Sequence, residues 1–196
     1  MRFSVAATAL FALAVATPSA ANQWTVQLTK DLHGLAVSTR SIWGPAGTIT
    51  RVDGPLFEDN LGNFPEIVGG LKAVVKKVND VTASLPHEFP GVQLKDMYPI
   101  DWAYDDFLID QQILMNLLNL KAYKFGDSVP IKADPLLAVL KELEPAIDCF
   151  ADAAKLLFLP EPHLLENKRQ TLKKTIQAVI NNYGPKTKKV RRTFNA

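Results

Sequence analysis

The chain has 196 residues, 47% of them hydrophobic, with 22 basic and 20 acidic side chains and one cysteine, Cys149. That is enough chain to bury a core without staples. The charge balance excludes an overall polycation of the kind that coats nucleic acid, and a lone cysteine excludes an intramolecular disulfide.

The N-terminus reads as a secretory leader. Arg2 supplies a positive start, Val5 to Ala16 is apolar and small throughout, and Ser19-Ala20-Ala21 fits a cleavage site between Ala21 and Asn22. The apolar run is too short for a bilayer span of about 20 residues, and no later segment replaces it, so no transmembrane segment is expected. The expected organisation is a signal peptide over 1–21, a helical domain over 22–185 and a basic tail over 186–196. The expected location is extracellular or associated with the cell wall.

Helical spacing then dominates. Trp24, Leu28, Leu32, Leu35 and Ile42 predict a first helix that stops before Gly44-Pro45. Residues 44–65, rich in Gly, Pro, Asp and Asn, predict a long loop. Ile67, Val68, Leu71, Val74, Val75, Val78, Val81 and Leu85 predict a second helix opened by Pro65 and closed by Pro86. Gly69-Gly70 inside it implies close approach of a neighbouring helix.

A third helix is expected from Asp101 to about Phe125. Between Ile113 and Leu120 only Gln112, Asn116 and Asn119 interrupt an apolar circumference, which predicts the central helix of the bundle. Asp134 as N-cap and Pro135 at the first helical position start a fourth, with a kink or break at Pro145. The fifth opens near Pro162 and stops at Gly184-Pro185. No strand alternation competes, so the expected fold is an all-α, single-domain bundle of about five helices.

Chemistry-bearing motifs are sparse. Asp105, Asp106 and Asp110 have the DDxxxD spacing that binds magnesium diphosphate in terpene synthases. The simpler role of Asp101, Asp105 and Asp106 is to complement the positive end of a helix whose first turns they occupy. His33, His87 and His163 form no metal-ligand spacing, and no GxSxG, GxGxxG or GxxxxGK[ST] occurs. No catalytic residue, metal or cofactor is therefore assigned.

Cys149 lies off the Leu136 stripe, as an exposed thiol for intermolecular pairing or as a small semi-buried residue. Lys186, Lys188, Lys189, Arg191 and Arg192 stand in a terminal stretch without Asp or Glu, where they can meet anionic polysaccharide or lipid, or simply be solvated. No nucleic-acid partner is expected.

The segments LLAVLKELEPAIDCFADAAKLLFL (136–159) and LKKTIQAVINNY (172–183), with the leader and the near absence of cysteine, resemble the fungal hydrophobic surface-binding protein A and cell-wall galactomannoprotein family. The resemblance covers about the last 90 residues and rests on loose hydrophobic spacings. It implies a helical fold and non-catalytic binding of fatty acids between helices or of hydrophobic surfaces. Phe107, Met115, Leu118, Phe150 and Phe158 are the expected lining of such an apolar site. The basic tail and many prolines depart from the family's Ser/Thr-rich pattern. A secreted interaction protein, such as a host-directed virulence effector or a wall antigen, is the second expectation, and an extracellular enzyme a remote third.

Overall fold

The computed structural model describes residues 20–49, 62–89, 92–125, 133–158 and 162–184. Five helices and one 3-10 turn account for most of them: α1 (Ala20–Thr48), α2 (Phe64–Ser84), α3 (Leu94–Phe125), α4 (Asp134–Ala154), the turn Lys155–Leu157, and α5 (Pro162–Tyr183). No strand occurs among the described residues. The fold is all-α. Residues 1–19 of the expected leader and 50–61 of the expected 44–65 loop fall outside the described residues, as does the expected basic tail.

Where apolar spacing and proline boundaries agree, the helices stand where the sequence places them. α2 begins at Phe64 with Pro65 in its first turn, and buries Ile67, Val68, Leu71, Val74, Val75, Val78 and Val81. Tyr183 ends α5, and the Gly184 amide closes it by donating to Ile180 O at 2.8 Å. A Cβ at Gly184 would meet that same oxygen at 2.8 Å, so a side chain there would disturb the closure.

Proline is a weaker boundary elsewhere. α1 does not stop before Gly44-Pro45 but continues to Thr48. An interior proline forfeits a helical hydrogen bond and costs about 3 kcal/mol. The last turn offsets this by burying Ala46 and Ile49, and by satisfying its free carbonyls from outside. Lys121 of α3 donates its ammonium to Gly47 O and, at 3.0 Å, to Ile49 O. A cation at a helix C-terminus is favoured by both the orphan carbonyls and the helix dipole.

α3 likewise starts seven residues before Asp101, with Pro99 inside it. Asp96, in its first turn, accepts the Gln93 amide at 3.3 Å, half of a capping box. Asp101, Asp105 and Asp106 are thus not first-turn residues and do not serve the helix dipole. α4 is not broken at Pro145 but runs continuously from Asp134 to Ala154. Its N-cap is Ala133 rather than Asp134, a one-residue displacement.

The helices contact one another as a closed ring, α1 to α3 to α5 to α4 to α2 and back to α1. α3 is therefore not the central helix with others around it. It is one stave of the wall, between α1 and α5, and the centre is filled by side chains from all five. Ion pairs and hydrogen bonds give the directions: Arg40–Asp110 and Lys168–Asp105 make α1, α3 and α5 parallel when taken with the contacts further along each pair. α5 runs antiparallel to α4, whose Asp148 meets Arg169 and Lys173 while Glu144 meets Lys173.

Of the two adjacent glycines, only Gly70 marks a close approach. A Cβ there would lie 2.7 Å from Ile42 Cγ1 of α1, whereas one at Gly69 would meet nothing within 4 Å. Gly69→Ala is expected to stabilise the protein by about 0.5–1 kcal/mol through helix propensity. Gly70→Val is expected to destabilise it by about 1–3 kcal/mol by overpacking. Urea unfolding midpoints of the two variants against the parent check both signs.

Candidate functional site

The residues expected to line an apolar ligand site are packed into the ring's interior. Phe107, Met115, Leu118 and Phe150 are buried, and Phe158 is half-buried against the core. Three of them gather on one ring, that of Tyr104, with centroids 5.1 Å from Phe150, 4.9 Å from Phe158 in a stacked pose, and 6.4 Å from Phe107. Met115 and Leu118 lie two to four turns further along α3. Burial pushes the Tyr104 hydroxyl well above the usual phenol range, and it finds no hydrogen-bond partner among the described residues. These side chains are packed within the hydrophobic core.

The Asp triplet is divided rather than gathered. Asp105 pairs with Lys168 of α5 on one edge of α3, and Asp110 pairs with Arg40 of α1 on the other, at 2.7 Å. Asp106 is exposed. Among the described residues no group of three His, Cys, Asp or Glu side chains could hold a metal ion. His33 and His87 are exposed, and His163 is a residue whose side chain is not described.

Cys149 is exposed, and no disulfide involves it. It borders an open hollow of about 390 Å³ between α2 and α4, with Val75, Asn79, Lys141, Glu142, Pro145 and Ala146. Between α4 and α5 the charges form a structural zipper. Arg169 donates to Asp148 at 2.7 Å and to Glu166 at 2.9 Å, which holds the Glu166 carboxyl below its usual range.

The feature that sequence reasoning missed is on α3. Leu94, Tyr98, Trp102, Ile109, Ile113 and Leu120 are all exposed, Trp102 to 67%. Their spacing of 4, 4, 7, 4 and 7 puts them on a single face. At 1.5 Å per residue the stripe is about 40 Å long. Tyr98 and Trp102 touch, centroids 6.3 Å apart. Leu164 of α5, also exposed, stands one turn before Lys168, level with Trp102.

The stripe faces outward because several polar residues of α3 are engaged with α1 and α5, although Asp106 and Asn116 are exposed alongside it. Gln112 donates to Thr175 at 2.7 Å and Asn182 to Asn119 at 2.6 Å, so two members of the narrow polar strip face α5, while the third, Asn116, is exposed and accepts from Gln112 at 3.1 Å. On the α1 edge, Gln111 donates to Thr39 at 2.7 Å, and the Trp43 indole donates to Asp110 O at 3.3 Å. The periodicity was sufficient to reveal the stripe, but not which side of a mostly apolar helix would be left uncovered.

No helix among the described residues is long and apolar enough to cross a membrane. Comparison with protein-family models, curated proteins and solved structures gives no significant match.

The Arg40–Asp110 pair supplies a test of the α1–α3 seam. The Asp110 side chain is only 4% exposed, and its Oδ2 contacts Arg40 without forming a well-directed hydrogen bond. Burial raises its carboxyl above the ordinary 3.8, and the arginine only partly opposes this. A raised carboxyl is protonated longer in the folded than in the unfolded chain. Stability from this group therefore falls as pH rises from 3.8 through the folded value. Asp110→Asn removes that fall, so its melting temperature relative to the parent is expected to become more favourable between pH 3.5 and 6. Thermal unfolding across that range, read as the difference between the two proteins, measures it.

Proposed function

We propose that this chain is a secreted, non-catalytic binding protein that adsorbs to hydrophobic surfaces through the outer face of α3. The observation that carries the reading is the exposed stripe from Leu94 to Leu120, set on a wall helix whose polar edges are already bonded to its neighbours. A row of exposed apolar side chains along one helix face, here interrupted by Asn116, marks an interaction site. Removing such side chains from water yields about 25 cal/mol per Å² of apolar area covered, so six of them can hold the protein on a surface without an internal pocket.

Of the two modes implied by the resemblance to the hydrophobic surface-binding family, the packing around Tyr104 favours surface adsorption over a fatty acid held between helices. The leader supports export, and wall association follows from the same resemblance. A second reading makes the same face a protein-docking surface, as in a host-directed effector or wall antigen. The Tyr98–Trp102 pair favours it, because exposed aromatics are enriched at protein interfaces.

Trp102→Ser combined with Ile113→Asn is expected to lower adsorption to alkyl-coated beads at least about tenfold. Both side chains are exposed, so stability should move by no more than about 0.5 kcal/mol. Bead depletion, with circular dichroism as the folding control, checks this. Unchanged adsorption by the folded double variant would sink the surface reading.

A further inference from the structure

We infer that the outer face of α3 is a self-association surface, on which a second copy of the chain packs its own α3 antiparallel to form a two-fold dimer. This goes beyond adsorption to a surface and does not depend on it.

The first support is spacing. From Trp102 to Leu120 the exposed residues of α3 are Trp102, Asp106, Ile109, Ile113, Asn116 and Leu120, at intervals of 4, 3, 4, 3 and 4. That repeat seats one helix along another, and a polar residue within such a seam fixes its register. Lys95 and Pro99, exposed eleven residues before Asp106 and Asp110, continue the α1 edge of the helix and stay at the rim.

The second support is symmetry. A two-fold contact requires a face complementary to itself. Leu94 and Leu120 lie 13 residues either side of Phe107, Tyr98 and Asn116 lie nine either side, and Trp102 and Ile113 lie five and six away. With the dyad at that level, an antiparallel copy sets Leu94 against Leu120, Tyr98 against Asn116 and Trp102 against Ile113, each twice.

The third is that the same register meets both polar residues of the seam. Asn116 lies towards α5, since its Oδ1 accepts from Gln112, which donates in turn to Thr175. Tyr98 shares that edge, two turns before Asp105 and its α5 partner Lys168. The two-fold operation keeps like edges together, so Asn116 Nδ2 can donate to the Tyr98 hydroxyl of the second copy. Asp106 lies towards α1, one turn before Asp110, which pairs with Arg40. Arg40 contacts Asp110 through Nε, yet its side chain is 49% exposed and open to a second carboxylate. Asp106 of the second copy falls on the same edge, about 3 Å along the axis from the level of Arg40. The two Asp106 carboxylates also approach near the dyad, flanked by the two Arg40 side chains. A parallel copy would set Tyr98 about 27 Å along the axis from Asn116. An apolar surface offers Asp106 and Asn116 no partner, whereas an antiparallel copy meets both.

One helix per copy, about 40 Å long, makes a small interface, so the dimer is expected to dissociate with a Kd on the order of micromolar. Sedimentation and cross-linking test it in a Cys149→Ser background, which removes the exposed native thiol. The protein is expected to show a reversible monomer–dimer equilibrium without larger species, because an isologous contact closes on itself. Asp106→Arg, at an exposed position, should raise Kd about tenfold or more by facing Arg40 of the second copy, with circular dichroism unchanged. Under mild oxidation Tyr98→Cys/Asn116→Cys should form a covalent dimer. Tyr98→Cys alone should not, since its two copies stand about 27 Å apart.

A protein that sediments as a monomer even at about 1 mM would overturn the dimer and leave stripe-dependent bead adsorption standing. Cross-linking of Tyr98→Cys alone, or none in the double variant, would overturn the antiparallel register, and an unchanged Kd for Asp106→Arg would overturn the pairing that selects a second copy. Failure of the adsorption reading appears elsewhere, as unchanged bead depletion by the Trp102→Ser/Ile113→Asn variant while the parent still dimerises in solution.

Discussion

The rotation of α3 about its own axis is fixed by polar contacts on both of its edges, and the rest of the surface follows from that. One edge is bonded to α5 through Gln112, Asn119 and Asp105, and the other to α1 through Asp110, Gln111 and Lys121. Tyr104, Phe107, Leu114, Met115 and Leu118 fill the ring's interior. Three quadrants are thus committed, and the fourth carries Leu94, Tyr98, Trp102, Ile109, Ile113 and Leu120 into solvent. Turning the helix to hide that face would strand buried amides and charges, each costing about 1–3 kcal/mol or more.

The same contacts explain why prolines fail as boundaries here. Lys121 crosses from α3 to the carbonyls at the end of α1, supplying a cation that the last turn of that helix lacks in its own sequence. A cap of this kind joins residues more than 70 positions apart, and no local rule can anticipate it. The result is mutual: Lys121 ends α1, and its buried ammonium in turn holds the α3 edge against that neighbour.

Much of the architecture was legible in the sequence, and the gaps have physical causes. α2 and α5 have strong apolar stripes with proline or glycine at their ends, so spacing and boundary agree. α1 and α3 were read too short because Pro45 and Pro99 lie where tertiary packing and capping outweigh a local penalty. Gly70 was readable as a close approach, but its partner Ile42 was not. The apolar character of Phe107, Met115, Leu118, Phe150 and Phe158 was equally consistent with a ligand channel and with a core. In the structure these side chains pack into the interior, three of them around Tyr104. The stripe itself was present as a spacing, yet on a helix apolar nearly all round, the uncovered side depends on where α1 and α5 attach.

A chain with a single cysteine must draw its stability from such packing rather than from an internal disulfide, and an outer apolar face is costly to keep unless it meets something. In the proposed account, the closed ring is the rigid support and α3 is the side that touches. Fluorescence of Trp102 tests this most directly, in a protein whose Trp24 and Trp43 are replaced by Phe. On alkyl-coated beads, the account predicts a blue-shifted emission shielded from water-soluble quencher, while a dye at exposed Asp80 of α2 stays accessible to it. Trp102 emission that remains water-like and equally open to that quencher on bound protein would contradict it.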